Sequence, residues 1–459
     1  MFYTNFDFRM NYIFKYLIHI WAFMQKDALL EILSDWNFWA KEIDSGIKRE
    51  EYVKKIINLI TKTNQIVCIT GVRRSGKSTI IKQIAMEIIK DTKRENILIV
   101  NFEDERFSER NLKTLIDIYN CYLEKIGPDK KPFVFLDEIQ NVIEWERFVR
   151  WKHEKKEAEI VVTGSSSKLL SAELATLLTG RHLMFNIYPL SFKEFLKFRK
   201  LHVNSEIDIA TKRIEIKRLF HEYLEFGGFP EIVLSSEKKR VLLSYFETII
   251  SRDIIERYNI REREKIKTLA KFYLTNISST ITYNKVSKFI GIPLTTVERF
   301  SEYLKTANLI FFIKSFSYSL KEQEKTPRKV YSIDSGLSNT IGFRFMKNFG
   351  RIMENIVLLE LKIRQTFNPG IEIFYWKDYQ QREVDFVLKE GTKVKQLIQV
   401  CYNIDDMNTK ERELRSLIKA MDEFKLKEGI VITEDFEDEE RIDGKKVFYK
   451  PIWKWLLSP

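Results

Sequence analysis

The feature that most constrains this chain is a glycine-containing loop directly after a short apolar run. Residues 65–70 read QIVCIT, and residues 71–79 read GVRRSGKST. The apolar run predicts a buried strand, and the pattern G-x-x-x-x-G-K-[ST] predicts a loop whose backbone N–H groups surround phosphate oxygens. Such a loop joins a strand of a parallel sheet to a helix. The pattern therefore favours a nucleotide-binding α/β fold over an ordinary turn that contains glycine.

Further apolar runs predict the rest of this sheet. They occupy residues 95–104 (ENILIVNFED), 131–140 (KPFVFLDEIQ) and 159–166 (EIVVTGSS). Helical apolar spacing separates these runs, and it also precedes the first strand at residues 49–60. Alternating strands and helices predict a parallel sheet that is covered by helices on both faces.

Each position of the loop has an expected task. Gly71 and Gly76 allow N–H groups to turn inward, Lys77 reaches the terminal phosphates, and the Ser78 hydroxyl is suited to Mg²⁺. We therefore predict that ATP and Mg²⁺ are the cofactors. The residues expected to contact them are Gly71, Val72, Arg73, Arg74, Ser75, Gly76, Lys77, Ser78 and Thr79.

Two carboxylates follow a later predicted strand. Four apolar residues at 133–136 lead directly into Asp137 and Glu138. Because ligands of open α/β sheets bind at the carboxyl ends of strands, we expect Asp137 to hold Mg²⁺. Glu138 is then expected to orient or deprotonate the attacking water. An aspartate that caps the next helix is the alternative interpretation.

Hydroxyl side chains follow the neighbouring strand. The sequence there reads TGSSS, so Thr163, Ser165 or Ser166 is expected to reach the terminal phosphate or the water. We select Ser165 from these near-equal candidates. A plain serine-rich turn is the alternative.

Several motifs together resemble one protein family. They are GVRRSGKST, FLDEIQ, TGSSSKLL, GRHLMFNIYPLSFKEFL and YLEFGGFPE. With these motifs the chain resembles AAA+-related archaeal and bacterial ATPases that carry a C-terminal nuclease-like domain. The resemblance covers nearly all of the chain after about residue 47. It implies a P-loop ATPase core (48–200), a helical lid (201–264), a winged helix (265–345) and a degenerate endonuclease-like α/β domain (346–459). Residues 1–47, before the resemblance begins, are expected to form an N-terminal helical extension.

The resemblance also implies three further site residues. Arg181 precedes the predicted strand HLMFNIYPL, where related modules often place an arginine finger that acts on a neighbouring subunit's nucleotide. A homo-oligomer is therefore expected. Gly228 and Pro230, in GGFPE, resemble an element that lines the adenine side from the lid. A surface arginine and a tight turn between helices are the alternatives.

Residues 265–343 follow the pattern of a winged helix. Three helical segments precede the alternating run IFFIKSFSYSL and the basic return KTPRKVYSI. Basic side chains here are expected to contact DNA phosphates, although a winged helix also serves as a protein-docking module. These side chains are Lys285, Lys288, Arg299, Lys305, Lys325, Arg328 and Lys329.

The C-terminal segment resembles a nuclease domain whose catalytic residues are incomplete. A helix (GRIMENIVLLELKIR), a hairpin (IEIFYW and EVDFVLKEG) and a strand (LIQVCYNI) follow one another. In active members of that fold, a helix Glu, an Asp and an E-x-K pair bind magnesium and position water. Glu354 and Asp385 match, but Gln399 and Cys401 replace the last pair. Because a neutral amide is a poor magnesium ligand and Cys401 supplies no ammonium, we predict that the domain does not cut DNA.

Composition adds weaker constraints. The formal net charge of +12 favours a polyanionic partner, and three distant cysteines without a CxxC pair favour a reducing, cytoplasmic location. The five histidines show no zinc-ligand spacing. The apolar stretch at residues 12–24 is shorter than the ~20 residues of a membrane span, so no span is expected.

These patterns predict an ATPase whose nucleotide cycle moves a DNA-associated or protein-associated tail. Two other functions stay open. One is a regulatory ATPase switch with slow turnover and protein partners, and the other is a nuclease effector, which the Gln399 and Cys401 substitutions disfavour.

Overall fold

The structure, a computed structural model, describes residues 26–164, 178, 180–342 and 349–458. These residues form two compact units. One unit contains the described residues up to Thr70 and from Lys77 to Phe185. The other contains Gly71–Gly76 and the described residues from Asn186 onward.

A five-stranded sheet forms the centre of the first unit. Its strands are β1 (Ile66–Thr70), β2 (Ile97–Asn101), β3 (Phe133–Asp137), β4 (Glu159–Thr163) and β5 (His182–Asn186). The order across the sheet is β2-β3-β4-β1-β5. The pairs β2–β3, β3–β4 and β4–β1 are parallel, so the carboxyl ends of these strands lie at one edge.

Helices cover this sheet. All five residues of β1 are buried, as expected for a parallel strand with helices on both faces. Apolar side chains of β2, β3 and β4 share one core with the helices Leu112–Lys125 and Trp145–Glu154. Among the residues that the structure describes, the α-helices of the unit are 26–36, Glu50–Thr63, Lys77–Ile88, Leu112–Lys125 and Trp145–Glu154.

The segment before the first strand closes the open edge of β2. The Asn37 amide accepts a hydrogen bond from Ile99 N at 2.7 Å and donates one to Ile99 O at 2.8 Å. Trp39 Nε1 donates to Ile97 O at 2.8 Å, and Leu33 is fully buried in the core. Side chains thus replace the strand that an exposed edge would otherwise attract.

The second unit begins with helices. Apolar residues of these helices and of the three-stranded sheet that follows form one core. Residues Ile249–Glu256 form a π-helix, a rare conformation that often occurs at functional sites. The α-helices up to residue 341 are Phe192–Phe198, Glu206–Thr211, Arg213–Phe226, Pro230–Leu234, Lys238–Thr248, Arg263–Thr275, Tyr283–Ile290, Leu294–Thr306, Leu320–Lys325 and Ser335–Ile341.

The three-stranded sheet is antiparallel, with strands β6 (Ser279–Ile281), β7 (Ile310–Ile313) and β8 (Arg328–Ser332) in the order β6-β8-β7. The alternating run at 310–320 continues as a strand only to Ile313. Beyond it, Phe316 N donates to Tyr375 O at 2.6 Å, because this backbone pairs with the C-terminal sheet instead.

A six-stranded mixed sheet completes the unit. Its strands are β9 (Ile371–Lys377), β10 (Glu383–Glu390), β11 (Lys393–Cys401), β12 (Glu428–Thr433), β13 (Asp438–Ile442) and β14 (Lys445–Pro451). The order is β13-β14-β12-β11-β10-β9, and β9 and β10 form the predicted hairpin. The helices of this part are Phe349–Phe367, Met407–Phe424 and Ile452–Trp455.

Within the described residues, no helix is long and apolar enough to cross a membrane. The apolar stretch at residues 12–24 lies outside the described residues.

Candidate nucleotide-binding site

The loop between β1 and the next helix has a backbone that requires glycine. Gly71 has φ +146° and Gly76 has φ +97°, a range that residues with a β carbon rarely adopt. A β carbon on Gly71 would also lie 2.2 Å from Ile187 O. Both glycine positions of the pattern therefore give the loop a backbone shape that suits phosphate binding by N–H groups.

Lys77 is the first residue of the helix Lys77–Ile88. Its side chain is 5% exposed, and its Nζ atom lies 3.7 Å from Glu138 Oε1. An ammonium and a carboxylate held at this distance, at the end of a strand, form the charged centre of the site. Both residues were named from the sequence as site residues, and the roles given to them stay predictions.

Asp137 is the last residue of β3 and is buried. Its carboxylate accepts hydrogen bonds from the hydroxyls of Thr163 and Ser78. Burial, with a further contribution from the charge of Glu138, raises the pKa of Asp137 to about 6. A carboxylate and a hydroxyl that already touch are hard oxygen ligands, so the donor set fits Mg²⁺.

Glu138 adopts a left-handed backbone with φ +52°, which is uncommon outside glycine and often accompanies function. Its backbone N–H donates to Thr163 Oγ1 at 3.0 Å, and Gln140 Nε2 donates to its carboxylate. These contacts determine the direction of the Glu138 side chain at the carboxyl end of β3.

Thr163 is a second hydroxyl residue, besides Ser78, at this centre. It is fully buried, and one hydroxyl contacts both the Asp137 carboxylate and the Glu138 backbone. From the sequence we selected Ser165 over the near-equal Thr163 and Ser166, because proximity across strands is not visible in a linear pattern. Ser165 and Ser166 lie outside the described residues, so the role given to Ser165 stays a prediction.

The two loop arginines contact carboxylates of the second unit, to which the loop belongs. Arg73 Nε and Nη2 lie 3.2 Å from the Asp253 carboxylate, in the π-helix. Arg74 Nη1 lies 3.3 Å from Glu231 Oε2. No sequence pattern indicated Asp253 or Glu231, because these contacts span more than 150 residues.

The other predicted loop residues have simpler surroundings. Val72 is buried in the apolar core of the second unit, and Ser75 is also buried. Thr79 is partly buried and lies next to Gly46. A β carbon added to Gly46 would lie 3.7 Å from Cγ2 of Thr79.

Gly228 lies in a backbone junction. Its N–H donates to Asp334 Oδ2 at 2.7 Å, and its carbonyl accepts from Leu190 N at 2.7 Å. Pro230 is the first residue of the helix Pro230–Leu234. Asp334 is fully buried, which raises its pKa to about 6. These packing contacts account for the GGFPE pattern, and a contact with adenine stays a prediction.

Arg181 lies on the surface and pairs with Glu154, with 42% and 49% of the side chains exposed. The guanidinium is therefore accessible, and its role as an arginine finger stays a prediction.

Glu354 and Asp385, the two residues that match a nuclease, contact the same ammonium, that of Lys329. The expectation about Lys329 is wrong. Lys329, expected to contact DNA from the surface, is only 2% exposed. Its Nζ atom lies 3.0 Å from Glu354 Oε1 and 2.8 Å from Asp385 Oδ1, so the ammonium of Lys329 is buried between these two carboxylates. The reason is that β8 packs against the helix Phe349–Phe367, which turns Lys329 inward.

The remaining members of this cluster differ in environment. Gln399 Oε1 accepts from Asp385 N at 3.2 Å, whereas Cys401 packs in the apolar core of the domain. Burial raises the pKa of Glu354 to about 8 and that of Cys401 to about 11. Burial lowers the pKa of Lys329, but the charges of Asp385 and Glu354 outweigh it and raise that pKa well above its usual value.

Comparison with known proteins agrees with the loop geometry. A model described as an AAA domain matches residues 63–196. Domains of unknown function, DUF8612 and DUF4143, match residues 217–347 and 349–455. Residues 63–196 are thus an AAA-type P-loop ATPase domain, followed by a part with its own mixed sheet.

Whole-length relatives also exist. The uncharacterized protein MJ1544 of Methanocaldococcus jannaschii is 37% identical over 425 residues, covering 90% of this chain and 92% of its own. The chain belongs to its family. An uncharacterized protein of Haemophilus influenzae is 31% identical over 421 residues, 90% of this chain and 99% of its own. The Walker-type ATPase paby2304 of Pyrococcus abyssi is 14% identical, with a TM-score of 0.43, over 64% of this chain and 96% of its own.

Proposed function

We propose that this protein is a Mg²⁺-dependent ATPase whose nucleotide cycle changes the conformation of a DNA-associated or protein-associated part of the chain. The observation that carries the proposal is the meeting of three charged side chains after β1 and β3. Lys77 lies 3.7 Å from Glu138, and Asp137 beside them contacts the Ser78 hydroxyl. The match to an AAA domain over the same residues supports it.

Each of these residues has a distinct task in the proposed reaction. Ser78 and Asp137 hold Mg²⁺, which when bound neutralises charge on the phosphates. Lys77 contacts the terminal phosphates. Those phosphates compete with Glu138 for the ammonium, and a Glu138 carboxylate released from Lys77 can accept a hydrogen bond from water. Thr163 holds Asp137 and Glu138 in a defined relative position, because its hydroxyl contacts the Asp137 carboxylate and the Glu138 backbone N–H.

The proposed conformational change begins at Arg73. Its guanidinium makes two contacts of 3.2 Å with the Asp253 carboxylate, which is 9% exposed. Asp253 lies in the π-helix, where the hydrogen-bond geometry departs from the α-helix. A shift of the loop 71–76 on nucleotide binding therefore moves Asp253 through Arg73, and with it the π-helix Ile249–Glu256 changes its hydrogen bonds.

DNA is the partner that the charge of the next segment favours. Between residues 263 and 332 the elements run helix, β6, two helices, β7, a short helix and β8, an order that supports the winged-helix assignment. Exposed basic side chains there are suited to phosphate contacts. They are Lys285, Lys288, Arg299, Lys305 and Lys325.

Steady-state ATP turnover tests the proposal. Lys77→Ala should abolish tight ATP binding, because it removes a cation at the terminal phosphates. Glu138→Gln should bind ATP and turn over about 10²-fold more slowly, since the amide keeps the shape and loses the base. The controls are Lys54→Ala and Glu144→Gln, both at exposed positions of the same unit.

Undiminished turnover in Glu138→Gln, with both controls normal, would contradict the role of the carboxylate. Adding duplex or single-stranded DNA across a salt series distinguishes the partners, because a DNA-dependent ATPase is stimulated and loses the stimulation as salt rises. A regulatory switch would instead show slow turnover that DNA does not change.

A further inference from the structure

The C-terminal part of the chain contains a buried cation, Lys329, that has no role in the proposed ATPase reaction. Lys329 lies in β8, and its side chain is 2% exposed. Its Nζ atom lies 2.7 Å from Glu383 Oε1, 2.8 Å from Asp385 Oδ1 and 3.0 Å from Glu354 Oε1. One ammonium thus contacts carboxylates from β10 and from the helix Phe349–Phe367.

The number of contacts decides what this ammonium can do. A lysine ammonium has three N–H donors and no acceptor. Here three carboxylates from two elements accept them, at distances of 2.7–3.0 Å. Lys329 therefore has no donor left to reach a phosphate or a water molecule, and its task is to balance negative charge.

The carboxylates are held by other groups of the chain as well. Tyr331 donates its hydroxyl proton to Glu354 Oε1 at 2.6 Å, and Val400 N donates to Asp385 Oδ2 at 2.9 Å. These hydrogen bonds hold the Glu354 and Asp385 carboxylates in the orientation in which they contact Lys329 Nζ. The ammonium of Lys329 is thus the cation of this carboxylate cluster.

We propose that Lys329 is a built-in cation that takes the place of a divalent metal ion in this carboxylate cluster and fastens β8 to the C-terminal sheet. The distances of 2.7–3.0 Å suit an ammonium. They exceed the oxygen distances of about 2.0–2.1 Å for magnesium and about 2.3–2.6 Å for calcium. Across the part of the chain that the structure describes, no group of three or more His, Cys, Asp or Glu side chains is arranged to hold a metal ion.

The proposal is tested by removing the charge of Lys329 in the full chain. Lys329→Met keeps most of the length of the side chain and leaves the buried carboxylates of Glu354 and Asp385 without their cation, while Glu383 keeps its pair with Lys377. We expect the thermal unfolding midpoint to fall by about 10 °C, since breaking one side of a buried ion pair is costly. The control Lys389→Met removes a pair with the half-exposed Glu372 on the same sheet, and should shift the midpoint by less than about 2 °C.

A charge-neutral variant separates charge from packing. Lys329→Met combined with Glu354→Gln and Asp385→Asn should unfold at a higher temperature than Lys329→Met alone, because the uncompensated charges are gone. If Lys329→Met is insoluble, a folded charge-neutral variant supports the proposal, and an equally insoluble one overturns it. A midpoint of Lys329→Met equal to that of the wild type would also overturn it.

Calcium chloride is the probe for the metal position, because calcium needs the smallest contraction of the cluster. Millimolar calcium should raise the midpoint of Lys329→Met by several degrees and leave the wild type and the charge-neutral variant unchanged. Two results would overturn the proposal. One is no calcium effect on Lys329→Met, and the other is a calcium effect on the wild type that Asp385→Asn removes.

Discussion

Replacing Gly71 by alanine tests whether the shape of the phosphate loop is set by its backbone. Gly71 has φ +146°, and an added β carbon would lie 2.2 Å from Ile187 O and 3.1 Å from Ser75 Oγ. The first contact is with a backbone atom, so rotation of a side chain cannot relieve it. The loop has to move away from residue 187 by about 1 Å to reach an ordinary contact distance.

Two costs add at this position. The backbone conformation costs a residue with a β carbon roughly 1–3 kcal/mol. Overpacking against fixed atoms costs roughly another 1–3 kcal/mol. The sum of about 4 kcal/mol is a large part of a typical stability of about 5–15 kcal/mol, so local movement of the loop is the easier outcome. If ATP binding then has to restore the native loop, its affinity falls by about 10²–10³-fold.

Titration with a fluorescent ATP analogue measures this affinity, and thermal unfolding measures the stability. The matched control is Gly391→Ala, because Gly391 also has a positive φ of +59° and its added β carbon meets no described atom within 4 Å. It should lower the stability by about 1 kcal/mol and leave ATP binding unchanged.

ATP affinity of Gly71→Ala within threefold of the wild type, together with an unchanged unfolding midpoint, would refute the reasoning. The contact with Ile187 O would then not constrain the loop. Equal losses of affinity in Gly71→Ala and Gly391→Ala would point to a general loss of folding instead.

Three further predictions follow from the site. Arg73→Ala and Asp253→Asn should each slow steady-state ATP turnover, because each breaks the Arg73–Asp253 contact. The double variant should be no slower than the slower single variant, and additive losses would contradict the coupling. Thr163→Val should lower turnover about tenfold and the free energy of unfolding by about 1–3 kcal/mol, because the Glu138 N–H loses its acceptor. The control is Thr61→Val, at an exposed position. Wild-type turnover of Thr163→Val would show that Thr163 does not belong to the site. Arg181→Ala mixed with Lys77→Ala should regain some activity if Arg181 acts across a subunit boundary, and no regain at any ratio, with assembly confirmed, would favour a surface role.

Much of the ATPase domain was predictable because its signals are local. Each of the first four strands is a short apolar run, and the strands found at 66–70, 97–101, 133–137 and 159–163 lie inside the predicted segments. Asp137 ends β3 and Glu138 follows it, while Lys77 and Ser78 follow β1 after the loop 71–76. Parallel pairing then brings strand ends to one edge, so position along the chain was enough to place them together.

Contacts between distant segments were not predictable in the same way. Ser165 was selected from the sequence over the near-equal Thr163, and the buried contact of Thr163 with Asp137 and Glu138 N became visible only in the structure. Arg73 was expected at the nucleotide because of its place in the loop, with no indication that Asp253 holds it. Such pairs depend on how helices pack, which a single sequence does not encode as a local pattern.

Lys329 shows most clearly where the two kinds of information differ. The sequence by itself determined that β8 is a strand with basic residues, and it determined that Glu354 and Asp385 belong to a helix and a hairpin. Only the tertiary structure decided that Lys329 points inward, because β8 packs on the helix that carries Glu354. A charge in a strand looks the same in sequence whether it faces water or a buried carboxylate. The difference arises from the carboxylates on distant elements, whose desolvation cost requires a cation once packing has buried them.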